Sequence, residues 1–203
     1  MKKNSISILI LILVMSFNLK AQTISLGPAV SFGHSFISAD NVESQFHPSF
    51  AAGLSLTYSS AEHSGFGADL LYSMEGSTAE TNIAGVMIKN EVNLTYLRLP
   101  IRIIYFWGEF GDPVRPKIFA GPTLGFLMAA ETGSIDVKDQ YNGFDFGLHG
   151  GLGANFQLGK RSWLNTDITY TQGLTDITKS DLNGVNRNGN LRLNVGLLFG
   201  LGN

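Results

Sequence analysis

Cysteine is absent from this chain of 203 residues. Its absence excludes disulfide bonds, thiolate metal sites, a cysteine nucleophile and a lipid-modified N-terminal cysteine. Charged residues are also scarce, at 15% of the sequence, and the formal net charge is −2. No basic excess is available for a nucleic acid, so that class of partner is excluded as well.

Apolar runs long enough to form a spanning helix are absent after Ala21. Such a helix needs about 20 apolar residues, so any membrane crossing in the rest of the chain must use β-strands. A shorter apolar run, residues 6–17, follows a basic start and precedes small residues at a cleavage position. We therefore expect residues 1–21 to be a cleaved signal peptide and residues 22–203 to form one β-barrel domain.

Eight stretches of the chain alternate apolar residues with small or polar ones at a period of two. This is the pattern of β-strands, whose successive side chains point to opposite faces. In the last stretch, residues 190–203, Leu191 and Leu193 alternate with Arg192 and Asn194. The fourth stretch, about residues 90–106, changes phase near residues 96–97, which one extra residue in a β-bulge would explain.

The spacing of the stretches indicates how a barrel would sit in a membrane. The segments after the first, third, fifth and seventh stretches are long, and the others are shorter; the long ones are residues 37–48, 76–89, 129–142 and 174–189. Outer-membrane barrels have longer extracellular loops and short periplasmic turns. Both termini would then be periplasmic.

Aromatic residues gather near the two expected membrane boundaries, as in the girdles of outer-membrane barrels. The periplasmic set is Tyr58, Phe66, Tyr105, Phe106, Trp107, Phe156 and Phe199, and the extracellular set is Phe36, Phe50, Tyr72, Phe126, Phe144 and Tyr170. A soluble, lipocalin-like barrel is the structural rival. The polar faces are mostly Gly, Ser, Thr and Asn, whereas a water-exposed surface is about 25–35% charged. The sequence therefore predicts an all-β, eight-stranded, antiparallel up-and-down transmembrane β-barrel in the outer membrane of a Gram-negative bacterium.

Four segments in a fixed order carry a resemblance to a known family. They are residues 96–101 (YLRLPI), 116–126 (PKIFAGPTLGF), 144–148 (FDFGL) and 170–177 (YTQGLTDI). Together they resemble the PorT-type outer-membrane β-barrel domain family of Bacteroidetes. The resemblance implies eight strands, residence in the outer membrane and, for most members, no assigned activity.

Charged and polar side chains on the inner face form a candidate polar cluster in the lumen. An eight-stranded barrel is just wide enough for side chains to fill its interior, and buried charges must be paired. The expected inward residues are Asp69, Glu75, Arg98, Arg102, Lys117, Asp145, His149, Asp167 and Arg192. Counting back from the loop between strands three and four places Asp69 opposite Arg98, so we expect an ion pair between them.

Motifs for catalysis, cofactors or metals are not specified by the sequence. His47 and Ser49, with Glu43 nearby, resemble the His-x-Ser arrangement of barrel-type lipid A deacylases, in which an imidazole serves as base for a serine. Pro48 interrupts this arrangement, which lies in or beside a loop. We therefore predict no enzyme activity, no cofactor and no metal, and keep a lipid-modifying barrel and a small transport barrel as alternatives.

The predicted role is structural or interactive, exerted through the extracellular loops. The last strand also resembles the assembly signal read by the barrel-insertion machinery, with matches at Asn194, Gly196, Phe199 and Leu201. The expected partners are therefore outer-membrane lipid, the insertion machinery during assembly and an unidentified protein at the loops. Charged loop residues of both signs define no ligand; they are Asp40, Glu43, Glu80, Lys89, Glu131, Asp136, Lys138, Asp139, Asp176, Lys179, Asp181 and Arg187.

The first prediction concerns export. Mass spectrometry of the outer-membrane fraction should find a chain that begins at Gln22 or within a few residues of it, because the first 21 positions have the order of a signal peptide. An intact Met1 on the membrane-embedded protein would contradict this.

Overall fold

The computed structural model describes residues 23–38, 44–83, 86–179 and 184–201. The predicted signal peptide and the loop residues Asp40, Glu43 and Asp181 lie outside these ranges. The described part contains eight long strands: β1 (Thr23–Ser38), β2 (His47–Ser59), β3 (Ser64–Ile83), β4 (Val86–Phe106), β5 (Val114–Thr132), β6 (Phe144–Gly159), β7 (Ser162–Gly173) and β8 (Arg187–Leu201). Two-residue strands at Ser44–Gln45 and Ile135–Asp136 and a 3₁₀ turn at Lys138–Gln140 complete it.

The eight strands close into a barrel. Each strand pairs antiparallel with the next along the chain, from β1 with β2 to β7 with β8. Strand β8 then pairs with β1 through residues such as Gly33 and Arg192. The predicted eight-stranded antiparallel up-and-down barrel is therefore confirmed. No helix among the described residues is both long and apolar enough to span a bilayer.

Side chains alternate between a polar interior and an apolar exterior. On β6, Asp145 and His149 are buried, whereas Leu148 and Leu152 point outward and are more than half exposed. The other strands follow the same rule, as the alternation of a pleated strand requires. The strands are 12 to 21 residues long, and about 9–11 residues suffice to cross the hydrocarbon core. The outer surface is thus that of a lipid-embedded barrel whose longer strands rise above the membrane.

Exposed aromatic side chains form two outward-facing sets. The lower set is Phe66, Tyr105, Trp107, Phe156 and Phe199, and the upper set is Phe50, Tyr72, Phe126, Phe144 and Tyr170. Phe106 was expected in the lower girdle, and this expectation is wrong. Its side chain is fully buried inside the barrel, where it packs with Ile104 and Phe119.

The segment 76–89 is not the long loop that the sequence indicates. The β3–β4 ladder continues through it, from Gly76 opposite Asn93 to Ile83 opposite Val86. The sequence indicates a strand through period-two alternation of apolar and polar residues. Residues 76–89 lack this alternation, although the strands continue through them.

The irregularity near Tyr96 has a different origin from the one expected. The β4–β5 register shifts between Thr95 and Tyr96, because Thr95 pairs with Ala129 and Tyr96 with Leu127. The extra residue, Met128, therefore lies on β5 and not on β4. From Leu94 to Phe106 strand β4 keeps its alternation, since the even-numbered residues there are buried, apart from the half-buried Pro100. Its apolar residues change face because the top of the lumen is itself apolar.

Two apolar layers close the ends of the lumen. The upper apolar layer lies at the extracellular end and consists of Leu94, Tyr96, Leu127, Ala130 and Ile177. The lower apolar layer lies at the periplasmic end and consists of Ile104, Phe106 and Phe119. The paired charges lie between and beside these layers, and the buried Arg115 stacks on the Phe106 ring at the periplasmic end, so the interior of the barrel is packed at both ends.

The second prediction tests which face of β6 meets lipid, and at what depth. Leu152→Arg should lower the free energy of unfolding by about 2–4 kcal/mol, because it places a cation against the middle of the bilayer. Leu158→Arg, on the same face at the periplasmic end of the strand, is the matched control and should cost about 0–1 kcal/mol. Unfolding in lipid vesicles, followed by heat-shifted gel mobility, measures both. Equal costs would contradict the depth assignment.

Candidate functional site

Arg98 on β4 lies at the centre of a buried group that we call the upper charged cluster: Arg98, Glu75, Asp145 and Arg192. Its Nε and Nη2 donate to the two Glu75 oxygens at 2.8 and 2.6 Å. Its Nη1 lies 2.7 Å from Asp145 Oδ2. Arg192 Nη2 lies 3.1 Å from Glu75 Oε1. Two cations and two carboxylates from four strands therefore neutralise one another in the lumen.

Neutral side chains complete the hydrogen bonding of this cluster. Ser73 Oγ donates to Glu75 at 2.8 Å, and Asn190 Nδ2 donates to it at 3.3 Å. Asn188 Nδ2 donates to Asp145 Oδ2 at 2.9 Å. These contacts supply the additional hydrogen bonds that a buried ion pair needs. The three residues were missed at the level of sequence, although all lie on the inward parity of their strands.

A second group, the lower charged cluster, contains Asp69, Arg102, Lys117 and Asp167. Arg102 binds Asp69 through two nitrogens at 2.5 and 2.9 Å. Lys117 Nζ lies 3.0 Å from Asp167 Oδ1. Both pairs are almost wholly shielded from solvent. The lower cluster is therefore neutral as well, with one cation for each carboxylate.

The expected ion pair between Asp69 and Arg98 does not form. The register of the β3–β4 hairpin places Arg98 opposite Leu71, two residues from the position that counting gave. Arg98 therefore faces Glu75, and Asp69 binds Arg102 instead. The error arose because the hairpin turn lies farther along the chain than the sequence indicates.

His149 lies between the two charged clusters. It is buried against the Phe119 ring, with 6.1 Å between ring centroids. Neither of its ring nitrogens makes a hydrogen bond to a group in the described part of the chain. It lines a cavity of about 50 Å³ together with side chains from both clusters. A polar cavity of this size has room for a few water molecules.

His47 and Ser49 both point inward from β2, but they do not form a nucleophile and base. His47 Nδ1 lies 3.1 Å from Thr78 Oγ1, and Ser49 Oγ accepts a hydrogen bond from Arg192 Nε at 3.2 Å. A serine hydrolase needs the hydroxyl and imidazole in contact. Glu43 lies outside the described residues. Within those residues, no group of three His, Asp or Glu side chains is arranged to hold a metal ion.

The loops after β5 and β7 fold over the extracellular end of the lumen; we call residues 174–179 the lid. Its Ile177 side chain is fully buried in the upper apolar layer. The backbone N–H of Asn142 donates to the carbonyl of Ile177 at 2.8 Å, which joins the two loops. Thr175 Oγ donates to Asp145 Oδ1 at 2.9 Å. The lid is therefore bonded directly to the upper charged cluster.

Asp176 fixes the conformation of the lid. Its Oδ1 accepts hydrogen bonds from the backbone N–H groups of Thr178 and Asn186, at 3.0 and 3.1 Å. Slight burial opposes ionisation, but these hydrogen bonds outweigh it and hold the pKa of Asp176 below its usual value. The carboxylate therefore stays charged, and the loop stays braced, at ordinary pH.

The expected assembly-signal residues divide between the two faces of β8. Asn194 points inward, where its Nδ2 donates to Thr169 Oγ1 at 2.6 Å. Gly196 also lies on the inward parity, whereas Phe199 and Leu201 are exposed on the lipid face. A role in assembly stays a prediction.

This chain is similar to a domain family of outer-membrane barrels and to solved structures of such barrels. The family model of the outer membrane protein beta-barrel domain matches residues 20–179. Among solved structures, the chain is similar to the outer membrane protein OprG from Pseudomonas aeruginosa, with 16% identity, a TM-score of 0.58 and coverage of 90% of this chain and 96% of that one. It is also similar to Neisserial surface protein A, with 16% identity, a TM-score of 0.54 and coverage of 88% and 99%. Identities this low show the fold alone. The comparison with curated proteins found no match.

The third prediction tests the pairing in the upper charged cluster. Arg98→Ala should lower the free energy of unfolding by about 3–5 kcal/mol, because the buried Asp145 loses the cation it pairs with and Glu75 keeps only Arg192 of its two cations. A double-mutant cycle measures the coupling between two residues. Glu75→Ala with Arg98→Ala should lose less than the sum of the single effects. Asp69→Ala with Arg98→Ala is the control and should be closer to additive; stronger coupling for the control pair would contradict the observed pairing.

Proposed function

Because the chain belongs to the family of outer membrane protein beta-barrel domains, we propose that this outer-membrane protein has a structural or interaction role. Its lumen is closed, and its extracellular loops contact a partner protein. The main support is the lid, which is bonded to the buried Asp145 and seals the barrel. A loop fixed in this way presents a constant surface to the outside of the cell.

The packing of the lumen supports a closed barrel over a transport barrel. Apolar layers lie at both ends, and four inward carboxylates pair with four inward cations. A further buried cation, Arg115, donates to the backbone carbonyl of Glu62. The cavity of about 50 Å³ is small beside the 300–1,000 Å³ that a small-molecule site usually occupies. Diffusion of a solute would require several paired charges to separate.

The extracellular surface carries apolar side chains outside the lipid belt. Phe46 is 69% exposed and Ile135 is 66% exposed, both above the upper aromatic set. These two side chains are the points on this surface that we propose for contact with another protein. Ile135 lies in a short strand that pairs with Thr132 of β5, and a backbone held in this way reduces the ordering cost of binding.

Within the wider family, we assign the chain to the PorT-type group of Bacteroidetes barrels. The support is the resemblance of residues 96–101, 116–126, 144–148 and 170–177. The first three of these segments contribute Arg98, Lys117 and Asp145 to the charged clusters. A lipid-modifying function lacks similar support, because His47 and Ser49 bind other residues.

The fourth prediction tests the partner surface. A photo-crosslinking amino acid at Ile135 in intact cells should give one discrete protein adduct, because this side chain is exposed on the extracellular side. The same amino acid at Leu158, which faces periplasmic-side lipid, is the control and should not give that adduct. Ile135→Asp should reduce co-purification of the same partner.

Two results would favour the alternatives. Steady single-channel conductance of the wild-type protein in planar bilayers would support transport. Hydrolysis of lipid by the wild type but not by His47→Ala or Ser49→Ala would support the enzyme.

A further inference from the structure

Lys117 and Asp167 of the lower charged cluster both contact the neighbouring Asn165, so an amine, a carboxamide and a carboxylate touch one another. Lys117 on β5 is 1% exposed, and its Nζ donates to Asn165 Oδ1 on β7. The same nitrogen lies 3.0 Å from Asp167 Oδ1. Asn165 Nδ2 donates to Asp167 Oδ2 at 2.9 Å. Asp167 therefore touches both the amine and the amide nitrogen and fixes which way the carboxamide faces.

Gly153 on β6 permits this contact between non-neighbouring strands. It pairs with Lys117 on one side and with Asp167 on the other. A Cβ at this position would overlap Asp167 Oδ1 and would lie 2.8 Å from Asp167 Cα. The absence of a side chain therefore lets Lys117 reach across β6 to the β7 side chains.

The chemistry of the three groups differs from that of the other buried pairs. Among the paired cations of the two clusters, Lys117 is the one amine; the others are arginines, which do not lose their proton. A lysine amine is a nucleophile once it is neutral. Arg102 binds Asp69 and Ser55, so its neighbours include no carboxamide in the described contacts.

We infer that Lys117 and Asn165 are joined by an intramolecular isopeptide bond, formed by the protein itself with Asp167 as the catalytic proton acceptor and donor. Such a bond links β5 to β7 inside the barrel. It requires a buried amine, a carboxamide in contact with it and a carboxylate touching both nitrogens. These are the contacts that the lower charged cluster provides.

The reaction balances without a further reactant. The Lys117 ammonium gives one proton to Asp167, and the neutral amine attacks Asn165 Cγ to form the new C–N bond. Asp167 passes its proton to the amide nitrogen, and the bond from that nitrogen to Cγ breaks. The attacking nitrogen gives up a second proton, so the Asn165 nitrogen leaves as ammonium. A secondary amide remains, and Asp167 is again a carboxylate.

The experiment is peptide mapping of the full-length protein purified from the outer membrane. Trypsin normally releases residues 103–117, 118–138 and 162–179 as separate peptides. Because trypsin does not cleave after an acylated lysine, the linked protein should give residues 103–138 joined to residues 162–179. The joined peptide should be lighter than its linear parts require by one ammonia, about 17 Da.

The joined peptide is the deciding observation, because intact mass is ambiguous. An N-terminal Gln22 that cyclises, or Asn188 followed by Gly189 forming a succinimide, would lose the same mass. Neither reaction joins two tryptic peptides. Fragmentation of the joined peptide should place the link at Lys117 and Asn165.

Variants assign the roles. Lys117→Arg keeps the positive charge but removes the nucleophile, and Asp167→Asn removes the proton acceptor; each should abolish the joined peptide. Arg102→Lys, the matched control, adds a lysine beside Asp69 and should leave the original link unchanged. If the folded wild-type protein gives only the separate peptides, the inference is overturned, whether or not the variants fold. Persistence of the link in a folded Asp167→Asn protein would overturn the role of Asp167.

Discussion

A buried guanidinium connects three strands of the barrel wall: Arg98 of β4 lies between Glu75 of β3 and Asp145 of β6. A barrel in lipid must place its apolar side chains outside, so its polar ones turn inward, where they must bind each other. The polar side chains that point inward from each strand must therefore satisfy an electrostatic condition. Each carboxylate in the lumen needs a cation whose strand position and length allow contact.

This condition explains how the interior is layered. The charged clusters occupy the middle of the lumen, and apolar side chains such as Ile177 and Phe106 occupy its ends. Apolar ends exclude bulk water from the ion pairs and so strengthen them. As a consequence, the apolar residues of β4 change face: they point outward within the membrane and inward at Tyr96. Folding and closure of the barrel thus depend on the same side chains.

The sequence predicts the barrel and the facing of its strands because one rule, period-two alternation, applies to every strand. It does not predict the pairing of charges, because pairing depends on register, and residues 76–89 at the end of the β3–β4 hairpin lack the alternation that would locate the turn. Asp69 and Arg98 were therefore paired wrongly. The sequence also does not predict the contact of Lys117 with Asn165. Their strands are not neighbours, because β6 lies between them, and the contact is possible only because Gly153 of β6 has no side chain. The position of the lid is not predictable either, because a loop that folds inward shows no alternation in its sequence.

The hydrogen bond from Thr175 to Asp145 has a mechanical consequence. Asp145 also contacts Arg98, and Arg98 contacts Glu75, so three strands and one extracellular loop share a continuous set of bonds. Tension applied to the loop from outside the cell is passed through these bonds to β6, β4 and β3. A molecule that binds this loop is therefore anchored to three strands of the barrel and not to a single stretch of peptide.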